Sequence, residues 1–475
     1  MARLPYTFQM MPTSLIRFFS LVAAAGLVTT SAVQVADAQN LPSDSAIRAV
    51  VKSRVDSARA KGIIVGILEK GRKRYIAIGS AGPGRGPLDE HTLFEIGSIS
   101  KTFTSLLLAD AVTRGEVRLD QPVAELLPSG TVVPSRDGKT ITLEQLATHR
   151  SGLPRLPTNM EPANRDDPYA DYDTRRLYSF LASYQMPRSP GDSAEYSNLA
   201  VGLLGHALVT RANAASWGAL VERRITGPLK MHETFVDVPQ AARTQMSAGH
   251  SALMDTVPAW HLDALAGAGA LRSTASDMLT YLAAQLDTVK GPLARSVALT
   301  HRPRANLTPA NMMALGWVVR GSTDRMLWWH NGGTGGFTSY AAFEPSRQVA
   351  VVVLSNSEVS ADDIGRFVLD SSVTPRMPPV PMRRTAIALS SDALDRMVGE
   401  YPLAPTFVMT VTREGDALYV QATGQPKFRL WPEAPDRFFL KEVDAQMVFT
   451  LGATGPATAV TLKQGGASQT APRRK

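Results

Sequence analysis

Residues 98–115 read S-I-S-K-T-F-T-S-L-L-L-A-D-A-V-T-R-G. Phe103, Leu106, Leu107 and Val112 recur at helical spacing, and Gly115 supplies the stop. The three-residue interval puts Ser98 and Lys101 on one helix face, a turn apart. A serine hydroxyl is a poor nucleophile until a base takes its proton, and a neutral or desolvated lysine amine can do so. The start of a helix adds backbone N–H groups where oxyanion charge develops. A chain this long produces about one S-x-x-K by chance, so the tetrad alone is weak. It is nevertheless placed at a helix start, and no other lysine has a serine three residues before it.

Two further stretches supply compatible chemistry. Tyr196-Ser197-Asn198 precedes a helical run from Leu199. A tyrosine beside a lysine loses its phenol proton more readily, because the cation favours the phenolate. Asn198 offers both a donor and an acceptor to an amide. Taken alone, the triplet also reads as an asparagine capping a helix behind a packed tyrosine. Trp329-His330-Asn331-Gly332-Gly333-Thr334-Gly335-Gly336 closes one strand and precedes another. Its glycines permit close backbone approach to a ligand, and a Gly333 N–H can complete an oxyanion hole. Taken alone, it is equally a flexible hairpin with a core histidine. There is no G-x-S-x-G, hence no nucleophile elbow. Cysteine is absent and the eight histidines form no H-E-x-x-H, so neither metal nor cofactor is expected.

The rest of the chain frames these motifs. Hydrophobic residues make up 44% and charged ones 19%, as in an ordinary globular enzyme. The net charge of +8 comes partly from Arg473-Arg474-Lys475, and no basic helix face carries interleaved aromatics, so nucleic acid is not an expected partner. Arg3 and Arg17 precede an apolar run from Phe18 to Val28, followed by Ala36-Asp37-Ala38. Residues 1–38 therefore read as a cleavable signal peptide, and a periplasmic or secreted location is expected. The run is too short to span a bilayer, and Gln39 rather than cysteine follows, so stable membrane insertion is not expected. A helix over 45–60 and strand-like runs at 63–68 and 75–78 lead the next segment. Further runs at 326–329, 339–343 and 349–354 close it, with helical patterns between. One sheet built from both ends of residues 41–373 is the simplest arrangement. A Pro-rich linker over 374–388, a small antiparallel barrel over 389–467 and a basic tail over 468–475 complete the division.

In this order, S-x-x-K, Y-x-N and H-x-G resemble the penicillin-recognising serine enzymes, and within them the class C β-lactamase branch with its DD-peptidases and esterases. Leu146–Pro154 (L-A-T-H-R-S-G-L-P) and Gly269–Thr274 (G-A-L-R-S-T) look like the same branch. The likeness covers about residues 45–370, and the C-terminal strands resemble a lipocalin-like appendage. It implies an α/β fold with an antiparallel sheet flanked by helices, followed by the small barrel. It further implies Ser98 as the acylated nucleophile, with Lys101 and Tyr196 as proton-transfer groups. Asn198 would hold a substrate amide, His330 and Gly332 would line the pocket, and the N–H groups of Ser98 and Gly333 would form the oxyanion hole. The implied substrate is a β-lactam or a D-alanyl peptide of peptidoglycan. The alternatives are a carboxylic-ester hydrolase of the same fold and a non-catalytic penicillin-binding protein. Two positions depart from the pattern: His330 stands where many β-lactamases carry lysine, and Leu156 where a glutamine is usual. Histidine titrates at about 6.5, so His330 is expected to offer a substrate carboxylate positive charge only on the acid side.

Overall fold

The computed structural model describes residues 41–474, except 288–289, 292, 323–324, 380–382, 406, 424, 426, 442–444 and 465–466. The expected signal peptide lies outside the described residues. Eight strands make the central sheet: β1 Gly62–Glu69, β2 Arg72–Gly79, β3 Ala305–Thr308, β4 Asn311–Met313, β5 Val318–Ser322, β6 Arg325–Gly333, β7 Thr338–Glu344 and β8 Val349–Ser355. Their order is β2-β1-β8-β7-β6-β5-β4-β3, antiparallel throughout. The first two strands thus join the last ones, with Val65 opposite Val353, as the strand runs at both ends of the segment imply.

Both faces of this sheet are covered, so β1 and β8 are apolar almost without interruption. Ile63, Val65 and Ile67 point to one face, where they meet Ile47 and Val51 of the helix Asp44–Asp56 and Ile364 and Val368 of the helix Asp362–Leu369. Ile64 and Leu68 point to the other face, beneath Leu279 and Leu282 of the helix Ala275–Leu286. Gly66 sits on that second face, where a Cβ would come within 3.2 Å of Leu279. Each buried Val, Ile or Leu contributes about 1.5–3 kcal/mol relative to exposure.

The larger core surrounds the helix Ser100–Thr113, buried from Ser100 to Ala111. Phe103 stacks on Tyr281 at 4.0 Å, and Tyr281 in turn stacks on Trp317. Across the whole run Thr92–Ala111, Ser98 alone keeps more than marginal exposure.

Eight further strands, from Gly399–Ala404 to Ala467–Pro472, form an antiparallel meander with its own core of Leu394, Tyr401, Met409, Leu418, Phe438, Met447 and Phe449 among others. Arg474 N–H donates to Glu400 O at 2.7 Å, bringing the last strand back to the first and nearly closing a barrel. The barrel reaches further than its strand-like sequence runs: residues 467–472, most of the expected basic tail, are its final strand. That strand, A-S-Q-T-A-P, carries almost no apolar alternation, and the first, G-E-Y-P-L-A, contains a proline. The preceding Pro-rich segment is pinned to the first helix region, with Arg54 donating to Arg376 O at 3.0 Å and Arg59 to Pro378 O at 2.9 Å.

Candidate active site

Ser98 lies in the single helical turn Gly97–Ile99, immediately ahead of the helix that carries Lys101. Lys101 is fully buried, with Nζ 2.9 Å from Ser98 Oγ and donating to Ala268 O at 2.6 Å. Burial holds its amine well below the ordinary lysine range, and the field of Arg155 pushes the same way. The neutral form of that amine has a lone pair for the serine proton.

The segment 149–155 is zipped to residues 195–199. His149 O accepts from Glu195 N–H at 2.8 Å, and Ser197 N–H donates to His149 Nδ1 at 3.1 Å. Arg155 O accepts from Asn198 N–H at 3.0 Å and Leu199 N–H at 3.3 Å, two donors that a helix start leaves without intrahelical partners. Ser197 caps the helix Asn198–Arg211 with Oγ accepting from Ala200 N–H at 2.9 Å. Asn198 is therefore not the cap, and its side chain is released for other contacts. Its Nδ2 donates to Tyr169 Oη at 3.1 Å, while Oδ1 is buried without a partner.

Tyr196 faces Ser98, which hydrogen-bonds its hydroxyl. Its ring lies 4.5 Å from that of His149 and 6.2 Å from that of His330. Lys101 Nζ stands 5.0 Å from the ring centroid and the Arg155 guanidinium carbon 5.2 Å. Burial nevertheless outweighs the Ser98 hydrogen bond and the Arg155 field, and the phenol is pushed up to about 12. This corrects the expected phenolate: enclosing the hydroxyl costs the charged form more than its polar neighbours return.

His330, Gly332 and Gly333 end β6 beside the serine. Gly332 has no room for a side chain, since a Cβ would lie 2.1 Å from Ile96 O. Gly97 has φ +49°, and a Cβ on it would lie 2.7 Å from Gly333 N. Thr334 N–H donates to Phe337 O at 3.0 Å. By the alternation of an antiparallel pair, the Gly333 N–H then points away from β7, on an exposed residue. His330 departs from expectation. It is 2% exposed, and burial, with the field of Lys101, lowers its imidazole to about 3. Nδ1 lies 2.6 Å from Asn331 O, which only accepts, so the proton is on Nδ1 and Nε2 is a buried acceptor without a partner. His330 offers no positive charge between pH 6 and 9, contrary to its expected titration near neutrality.

The expected seven residues thus fall in one place, and four others belong with them: His149, Arg155, Tyr169 and Ala268. Three of these act through backbone atoms or through packing on Tyr196 and Asn198, which leaves no residue-type signal. Leu156 is half-buried and packs against the core. Behind Ser98, Leu271 N–H donates to Ser100 Oγ at 3.1 Å, and a buried Arg272–Glu95 pair at 3.0 Å braces the Phe94–Glu95 and Arg272–Ser273 ribbon. No cluster of three or more His, Asp or Glu side chains that could hold a metal occurs among the described residues.

The beta-lactamase family model matches residues 47–373. The chain belongs to that family. A second model, for a domain of unknown function (DUF3471), matches residues 383–473, the barrel. A beta-lactamase of Escherichia coli K12 is 28% identical over 374 residues, covering 71% of this chain and 94% of that protein. The D-alanyl-D-alanine-carboxypeptidase/endopeptidase AmpH of the same organism is 30% identical over 364 residues, covering 72% and 91%. The crystal structure of a class C beta lactamase from Rhodobacter sphaeroides superposes with a TM-score of 0.59 at 29% identity, covering 69% of this chain and 97% of that one. The β-lactamase-like architecture and the serine β-lactamase/DD-peptidase class expected from the motifs are both borne out.

Proposed function

We propose that this family member hydrolyses β-lactams or D-alanyl peptides through an acyl-enzyme on Ser98. The observation that carries the reading is the buried Lys101 amine, 2.9 Å from Ser98 Oγ and held well below its ordinary range. In the proposed sequence the Ser98 oxygen attacks the substrate carbonyl and its proton passes to Lys101 Nζ. The carbonyl oxygen takes up negative charge facing the N–H groups of Ser98 and Gly333. Tyr196, protonated at neutral pH, gives its proton to the departing nitrogen and regains one from Lys101. Water then attacks the acyl-enzyme by the same route in reverse. The Asn198 amide, freed from capping, holds the substrate's own amide. Leu156 supports a second, weaker reading, because an apolar side chain in place of glutamine also suits a neutral acyl ester.

Export belongs to the same proposal, resting on the Ala36-Asp37-Ala38 pattern. A mature N-terminus at Gln39 would support it, and an uncleaved chain would refute it. Fluorescent penicillin tests the chemistry. The wild type is expected to label and then release the label, whereas Ser98→Ala does neither and loses turnover by roughly 10³-fold or more. A stable covalent adduct on Ser98→Ala would refute the assignment. Label that is never taken up, with Ser98-dependent hydrolysis of p-nitrophenyl esters intact, would favour the ester reading.

A further inference from the structure

A β-lactam or D-alanyl peptide carries a carboxylate, and its cation has to come from somewhere. His330 is neutral, and Lys101 is enclosed, spending its donors on Ser98 and Ala268 O. Arg150 is committed to Gly191 O and Arg272 to Glu95, while Arg188 pairs through Nη1 with Glu195 and its remaining N–H groups are buried, out of reach of a substrate in solution. Arg155 differs. Its side chain is exposed, its guanidinium lies over Tyr196, and among the described residues none of its five N–H donors meets an acceptor. Its field reaches Lys101, His149, Tyr169 and Tyr196, so it stands at the site rather than beside it. The backbone is fixed as well, since Arg155 O holds the first two N–H groups of the Asn198 helix and the preceding Pro154 O accepts from Ser197 Oγ at 2.6 Å.

We infer that Arg155 is the residue that binds the substrate carboxylate, meeting it with its unused N–H fork over the face of Tyr196. A guanidinium suits that position because it stacks on an aromatic ring and still pairs with a carboxylate. This inference rests on the β-lactam or D-alanyl peptide reading given above.

The test uses the full chain and one chromogenic cephalosporin, as the free acid and as its methyl ester, with wild type, Arg155→Ala, Arg155→Gln and Arg155→Lys. For the acid, Arg155→Ala and Arg155→Gln are expected to lower kcat/KM by 10- to 100-fold, mainly through KM, and Arg155→Lys is expected to restore most of it. The methyl ester has no carboxylate to bind but still feels the Arg155 field on Lys101 and Tyr196, so the same variants should lose at least about fivefold less on it than on the acid. Equal losses on acid and ester would overturn the inference, since Arg155 would then act by tuning Lys101 and Tyr196. No loss on either would overturn it too. If the wild type hydrolyses neither compound while Ser98-dependent p-nitrophenyl ester hydrolysis survives, the substrate class itself is wrong and the inference falls with it.

Discussion

Gly97 and Gly333 meet backbone to backbone, and a Cβ on Gly97 would sit 2.7 Å from the Gly333 nitrogen and 2.9 Å from its oxygen. The contact sets the spacing between the turn that carries Ser98 and the end of β6. Gly97 also has φ +49°, a region that costs an L-residue about 1–2 kcal/mol. Gly97→Ala is therefore expected to lower the acylation rate by roughly 10²-fold, because a displacement of about 1 Å at such a site has that effect. Stopped-flow labelling of Ser98 would measure it. Unchanged acylation would mean that the two strands of contact move apart freely.

Lys101 and Tyr196 both reach Ser98, one as an amine that burial holds well below the ordinary lysine range and the other as a phenol pushed up to about 12. If they pass one proton between them, they act as a unit. The double variant Lys101→Ala/Tyr196→Phe should then cost much less than the two single losses combined. Steady-state kcat/KM for all four proteins checks this, and full additivity would make one of the two purely structural.

His330 has a pH signature of its own. Its imidazole falls from about 6.5 when unfolded to about 3 when folded, so the unfolded chain binds the extra proton between those values. The folded state is thus favoured above pH 6.5 and loses stability as pH drops toward 3. One such group contributes about 2 kcal/mol of the difference between pH 6.5 and pH 5. Urea unfolding at those two pH values should show His330→Asn with a smaller acid loss than wild type by roughly that amount. The preference of the wild type for carboxylated over neutral substrates, by contrast, should not change from pH 6 to 9.

The barrel has its own hydrophobic core, apart from those of the sheet. A chain ending at Pro379 is expected to stay soluble and keep Ser98 reactive. One ending at Thr374 should be less stable, because the buried Arg54 and Arg59 lose acceptors at Arg376 O and Pro378 O. An unmet buried donor costs about 1–3 kcal/mol. Thermal melts of the two chains and their labelling by fluorescent penicillin provide the comparison, and an insoluble or unreactive 379-residue chain would show that the barrel completes the fold.

How far the site could be read in advance followed the kind of atom involved. Ser98, Lys101, Tyr196 and Asn198 carry side-chain chemistry at recognisable intervals beside helix starts; each motif was weak alone, and their order, through its resemblance to the penicillin-recognising serine enzymes, brought them into view. Ala268 contributes a carbonyl and His149 a ring held by Ser197 N–H, and any residue order could hide such roles. Arg155 was passed over because a lone arginine after a proline is ordinary in a loop; only the zipped backbone aims it at Tyr196. For His330 the residue type misled, since burial rather than intrinsic basicity decides its charge. In the sheet, β3 to β5 over 305–322, at one edge and next to it, escaped notice because they are short and interrupted, whereas β1, β7 and β8, buried along nearly their whole length, were plain.

The pairing of β1 with β8 also sets a timetable for synthesis. Val349 leaves the ribosome about 280 residues after Glu69, which at roughly 5–20 residues per second is between a quarter of a minute and a minute. Until then β1 has only the β2 hairpin, a pair too small to hold by itself. The nascent hydrolase segment therefore stays open for most of its own translation, with Ile63–Leu68 exposed to any chaperone or translocase that reaches it first.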